Sequence, residues 1–255
     1  MVYIESFSNA RYKWLKGLSK SKNRRKEGLF LMEGRVELEL ALRRGHQPTL
    51  VAFTSSYITR AQLLQFGFDP NHVELVELSK ALFDGLAYQQ VPGNFIAVFQ
   101  TFKHVLTKEA GMLAILESVE KPGNLGAVLR TCDALGIHNL IVTESEIDLF
   151  NPNAIRNSRG AIFTVNCCFQ SNEEARAHIR SGMKWLLAAA LTEDAVDFNS
   201  VQRKDNIALV LGAESKGLTE FWLDEADQTV VIPMRGEVDS LNLSVSFAIL
   251  ASHFK

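Results

Sequence analysis

Three glycine-rich strings in the second half of the chain carry the side chains best suited to chemistry. ESVEKPGNLGAVLRTCDALG follows the apolar run 112–116, GAESKGL follows 207–211, and PMRGEVDSLNLSVSF follows 229–232. Glycine lets a backbone come close to a ligand, and the interleaved Asn, Glu, Ser and Arg can hold one by hydrogen bonds. In open α/β sheets ligands settle outside the carboxyl ends of strands, so three such corners can converge on one pocket. PGNLGAVLR lacks the spacing of a dinucleotide fingerprint, and GAESKGL is not a P-loop. The six histidines are scattered, with no zinc motif and nothing to support a Ser-His-Asp triad. A glycine-framed pocket without metal or nucleophile suits transfer of a group from a preactivated cofactor.

Within the first string, Leu125, Val128, Leu129, Cys132 and Leu135 form one apolar helical stripe. Arg130 lies about 140° from Leu125 around that helix, one turn after Gly126. A guanidinium beside bare backbone is a seat for a phosphate or a forming oxyanion; an ordinary surface arginine is the plainer reading. Asn124 reads more plainly as the N-cap of its helix, and Ser240 and Asn242 as caps of the last one. Glu214 reads more plainly as a first-turn acid of a helix beginning near Leu218.

The elements that must position these residues follow from periodicity. In the first hundred residues, strands at 29–32, 50–53, 73–78 and 95–99 alternate with helices at 10–18, 36–44, 61–66 and 80–87, an α/β layer pattern. Residues 101–110 lose the period and read as a linker. Apolar runs at 112–116, 140–142, 185–190, 207–211 and 229–232 suit a parallel sheet covered on both faces, with helices at 125–135, 154–159, 173–181, 218–223 and 243–254. Two domains result, 1–105 and 106–255.

The 255 residues have an ordinary apolar content of 47% and no apolar run long enough to cross a membrane. Residues 1–14 do not read as a secretory signal. Three cysteines without metal-ligand spacing suggest reduced thiols and a cytoplasmic location. The net charge of −2 conceals an asymmetry: residues 1–45 hold eleven Lys/Arg against five Asp/Glu, so the rest of the chain is acidic. A basic leading segment suits a polyanion, most commonly nucleic acid.

Taken in order, NLGAVLRTCDALG (124–136), LGAESKGL (211–218) and IPMRGEVDSLNLSVSFAILA (232–251) resemble the three motifs of the SpoU (TrmH-like) RNA 2′-O-ribose methyltransferases. NPNAIRNSRGAIF (151–163) resembles the segment between the first two motifs. The resemblance implies a trefoil-knotted α/β domain, a homodimer, and S-adenosylmethionine held among the three loops; the residues themselves offer no metal site. By resemblance, Asn124, Arg130, Glu214, Ser240 and Asn242 form the catalytic set. The cofactor would meet Leu211, Gly212, Glu214, Gly217, Ile232, Met234, Gly236, Leu241, Asn242 and Leu243. Because a guanidinium is a poor proton acceptor, Arg130 is expected to bind phosphate and stabilise the forming alkoxide. Arg159 departs from the small residue usual between Ser158 and Gly160, and is read as a further RNA phosphate contact.

Residues 9–45 are similar to the N-terminal substrate-binding domain of the larger SpoU enzymes, a smaller ribosomal-protein-like α/β fold. Arg11, Lys13, Lys20, Lys22, Arg24, Arg25 and Lys26 are expected to contact phosphates, with Arg35 toward the ribose site. Such contacts position RNA without reading its sequence. Large-subunit rRNA is the expected substrate by analogy. The alternatives are tRNA, a non-catalytic RNA-binding assembly factor, and a nucleotide-cofactor oxidoreductase, the last disfavoured by the missing fingerprint.

Overall fold

A computed structural model describes residues 2–69, 71–87, 94–108 and 110–255. The chain forms two compact units, Met1–Phe102 with Asp148–Phe163, and Lys103–Ile147 with Thr164–Lys255. The first unit therefore includes residues that the sequence reading assigned to the second domain.

In the first unit the chain runs β1 (Val2–Ile4), α1 (Ala10–Gly17), α2 (Ser21–Glu27), β2 (Leu29–Glu33), α3 (Arg35–Arg43), β3 (Leu50–Phe53), α4 (Arg60–Leu64), β4 (Glu74–Leu78), α5 (Lys80–Leu86) and β5 (Phe95–Gln100). The strands form one mixed sheet in the order β1-β4-β3-β5-β2. Tyr12 and Leu15 of α1 and Leu82 and Phe83 of α5 bury against Ala52, Val76, Ile96 and Val98 of the sheet. Neither α2 nor β1 was expected. SKNRRKE contains no apolar residue, so its helix leaves no period to detect; it ends at Gly28, whose left-handed φ of 65° suits glycine.

The second unit begins with residues 103–108, which form no helix or strand; Glu109, within the expected linker, lies outside the described residues. Its elements start with β6 (Leu113–Glu117), α6 (Pro122–Leu135) and β7 (Asn139–Thr143). The chain then passes through α7 (Pro152–Ser158), which groups with the first unit, and returns as β8 (Asn166–Gln170) and α8 (Asn172–Ser181). It continues through β9 (Trp185–Ala189), β10 (Val196–Asp197), β11 (Ile207–Leu211), α9 (Glu220–Glu225), β12 (Gln228–Val231) and α10 (Leu243–Phe254). The sheet order is β10-β12-β9-β11-β6-β7-β8, and each neighbouring pair is parallel. Every residue of β6, β7 and β11 is buried, as a sheet covered on both faces requires. Ile179 of α8 and Trp222 of α9 pack on Ile115, Ile141 and Val210, while α6 and α10 pack together.

Two features fasten 148–163 within the first unit. Phe150 stacks on Phe30 with ring centroids 4.6 Å apart, and Arg24 donates from Nη2 to Asp148 at 2.6 Å. Gly160 has φ +89°, and a Cβ there would lie 3.0 Å from Leu40 Cδ2.

Candidate active site

Because the second sheet is parallel throughout, β6, β9, β11 and β12 end along one edge, and the three glycine-rich corners open there. Pro122 takes the first position of α6, where its missing N–H costs nothing. Asn124 is therefore inside the first turn, and Lys121 is the N-cap residue. Freed from capping, the Asn124 side chain donates to Glu214 Oε1 at 3.0 Å.

The loop after β11 explains why Glu214 projects. A Cβ on Gly212 would lie 2.1 Å from the Gly217 carbonyl, and Gly217, at φ +67°, donates to the Ala213 carbonyl at 2.9 Å. Gly212 thus lets the loop close on itself. By contrast, a Cβ at Gly217 or Gly236 would meet nothing within 4 Å.

From the third corner, Asn242 does two jobs. Its Oδ1 accepts from the Ser244 N–H at 3.0 Å, capping α10, while its Nδ2 donates to Glu214 Oε1 at 2.6 Å and Asn124 Oδ1 at 3.2 Å. The Leu243 N–H also reaches Glu214 Oε1 at 3.3 Å. Oε2 of Glu214 takes the Lys121 ammonium. Lys121, the first cause, together with Asn124 and the Leu243 amide, holds the Glu214 carboxyl below the ordinary glutamate range, and Glu214 in turn raises Lys121.

Asn124, Glu214 and Asn242 are thus joined from three distant corners. Leu211 and Leu243 are buried beside them, and Ile232, Met234 and Leu241 are half-buried on the same strand-end segments. Ser240 is exposed, and its hydroxyl bonds to Asp239 at 3.2 Å, so it does not join the cluster. Arg130 is exposed, with no hydrogen bond or ion pair among the described residues. Gly126 is buried rather than bare, since α6 lies against both α10 and β7; the expected seat of uncovered backbone beside Arg130 is absent.

Two residues escaped the sequence reading. Lys121 could have been found from its charge, because a cation at a helix N-terminus opposes the macrodipole and needs an anion nearby. Thr192 follows β9, the strand between β11 and β12, and its buried hydroxyl has no hydrogen-bond partner among the described residues. Open space at Gly217 and Gly236 and this orphaned hydroxyl at the same sheet edge fit a bound nucleoside.

The expected RNA contacts divide. Lys13, Lys20, Lys22, Arg25 and Lys26 are exposed on and beside α1 and α2. Arg24 is 2% exposed, and its guanidinium is engaged by Asp148 and the Leu18 and Ser19 carbonyls, so it cannot reach a phosphate. Arg11 pairs with Glu74. Arg35 pairs with Glu39 at 2.6 Å and lies over the Phe66 ring. Arg159 caps α7 in a left-handed conformation and pairs at 3.3 Å with Glu37, itself buried, while its own side chain stays 53% exposed.

Residues 111–252 match the SpoU rRNA Methylase family. The chain belongs to the SpoU rRNA methylase family. Residues 9–97 match the MRM3-like substrate binding domain. Among SpoU relatives, the 23S rRNA (guanosine(2553)-2′-O)-methyltransferase of Bacillus subtilis is 25% identical over 255 residues, covering 100% of both chains. The tRNA (guanosine(18)-2′-O)-methyltransferase of Escherichia coli is 32% identical over 149 residues, 56% of this chain and 62% of its own. A solved RNA 2′-O ribose methyltransferase superposes with a TM-score of 0.85 at 31% identity, covering 98% of this chain and 96% of its own. Among the described residues, no group of His, Cys, Asp or Glu is arranged to hold a metal, and no helix is long and apolar enough to cross a membrane.

Proposed function

We propose that this SpoU protein transfers a methyl group from S-adenosylmethionine to a ribose 2′-hydroxyl of large-subunit rRNA in the cytoplasm. The observation that carries this reading is the hydrogen-bonded union of Asn124, Glu214 and Asn242 at the carboxyl edge of a parallel sheet. The Bacillus relative that matches over the full length of both chains acts on 23S rRNA, whereas the tRNA enzyme matches 56% of this chain; this favours rRNA.

When bound, S-adenosylmethionine supplies a sulfonium-activated methyl group. The loops after β9, β11 and β12 would hold the nucleoside, through half-buried Ile232, Met234 and Leu241 and the backbone around Leu211, Gly217 and Gly236. The Thr192 hydroxyl would be free to bond the same ligand. The Glu214 cluster fixes the β11 loop against α6 and α10. Arg130, exposed and unengaged, takes the RNA phosphate and steadies charge developing on the ribose oxygen. Aligning two bound reactants supplies much of the rate enhancement.

The second unit works as a trefoil-knotted half of a homodimer. Leu191, Val238 and Val245, which are 74%, 64% and 45% exposed, lie on the β9 loop, the β12 loop and α10 and offer apolar surface for a second copy. Incubation with methyl-labelled cofactor and separate 23S rRNA and tRNA, followed by mapping of ribose methylation, tests the activity. Label entering a single 2′-hydroxyl of 23S rRNA is expected. Label in tRNA alone, or in no RNA, would overturn the proposal. Sedimentation of a stable monomer would remove the dimer.

A further inference from the structure

We infer that Lys121 is a positioning residue for this reaction: its ammonium holds one oxygen of Glu214 so that the other gathers Asn124, Asn242 and the Leu243 N–H. The inference rests on the function proposed above and adds a residue outside the expected catalytic set.

Lys121 occupies an electrostatically poor place. It is the N-cap of the 14-residue α6, with φ −98° and ψ 117°, and its side chain satisfies none of the helix's free N–H groups. The compensation comes from 93 residues away, where Glu214 Oε2 meets the ammonium. Lys121 is 64% and Glu214 26% exposed, so the pair adds little to stability by itself. Its effect is on orientation. The terminal torsion of a glutamate is broad, and three N–H groups crowd onto the single oxygen Oε1. With Oε2 anchored, the carboxylate plane is fixed; without the anchor it can turn and release one or more of those donors. Of the elements around the pair, the β6–α6 loop contributes Glu120, which accepts from Ser215 Oγ on the β11 loop at 3.3 Å. The first turn of α10 contributes only neutral N–H donors. Lys121 is thus the cation that answers Glu214, and its own upward shift keeps it protonated and unsuited to receive the ribose proton.

The test compares wild type, Lys121→Met, Lys121→Arg, Glu214→Gln and the Lys121→Met/Glu214→Gln double variant. In cofactor-free protein, NMR titration of the Glu214 carboxyl should move upward in Lys121→Met and return toward wild type in Lys121→Arg. Calorimetry with S-adenosylmethionine should show about ten-fold weaker binding for Lys121→Met, and less than about two-fold further loss when it is added to Glu214→Gln. An unmoved Glu214 titration, or fully additive losses, would overturn the role of Lys121. Wild type that binds the cofactor but methylates no RNA would overturn the proposed function instead, leaving the titration to judge Lys121 separately.

Discussion

Glu214 and Arg130 differ in their surroundings: Glu214 is fully engaged, whereas Arg130 has no hydrogen bond or ion pair among the described residues. Glu214→Gln removes the charge from the oxygen that gathers three N–H donors and turns an NH2 group toward the Lys121 ammonium, so the side chain must rotate or set donor against cation. Loss of one or two of these bonds, at about 1–2 kcal/mol each, should weaken S-adenosylmethionine binding roughly ten- to hundred-fold, readable by calorimetry. The sign of its pH dependence follows from its lowered pKa. The stabilising contribution is complete above the ordinary glutamate range and disappears as pH falls through the depressed value. Cofactor affinity should therefore stay flat between pH 8 and about 5 on this group's account, and a midpoint near neutrality would contradict the hydrogen-bonded cluster. Arg130→Lys keeps a charge but loses the planar fork. It should lower kcat by about a hundred-fold with unchanged cofactor affinity, and near-normal turnover would remove its proposed role. Asn124, Glu214 and Asn242 could be picked from the sequence only through the resemblance to the SpoU motifs, because the residue types alone read as helix-end caps and a first-turn acid. Thr192 could not, since a lone threonine after a strand reveals its orphaned hydroxyl only once neighbouring strands are placed.

At the scale of the element, α2 divides its cations between two tasks. Arg24 faces inward to Asp148, which is 13% exposed; Lys22 and Arg25 face out. Arg24→Ala leaves a nearly buried carboxylate without its cation and should cost about 3 kcal/mol, seen as a lower urea midpoint. Lys22→Ala should leave stability within about 0.5 kcal/mol of wild type. It should instead reduce the slope of log affinity against log salt for RNA, by about 0.7–0.9 for each phosphate it no longer neutralises. An Arg24 variant of normal stability would contradict its assignment. The long strands and α10 were legible because burial on both faces, or along one stripe, writes an apolar period into the chain. For α2, β8 and β10 no such period exists: α2 is wholly polar, NCCFQ is an edge strand with mixed burial, and β10 has two residues.

Across the whole molecule, the sequence conveyed two α/β sheets and most strands of each, but not that residues 148–163 group with the first. Residues 148–163 stand in the chain between two methyltransferase motifs and read as part of that domain, while their aromatic side chains pack with residues of the first unit. No local signal reports this, because the partner of Phe150 is Phe30 and that of Asp148 is Arg24. A fragment of residues 106–255 should therefore expose Phe150 and Phe163 and associate beyond the dimer on size-exclusion chromatography. Replacing 148–163 in that fragment with a short Gly/Ser connector should return it to the dimer; unchanged higher association would show that these rings are not its cause.

The polypeptide consequently enters its leading unit twice. Grafting a relative's RNA-reading module onto this enzyme cannot be done with one splice near residue 105, because the resident strap would meet a foreign sheet. A workable chimera must exchange two separate stretches together, and mutations fixed in one of them constrain which changes the other can accept.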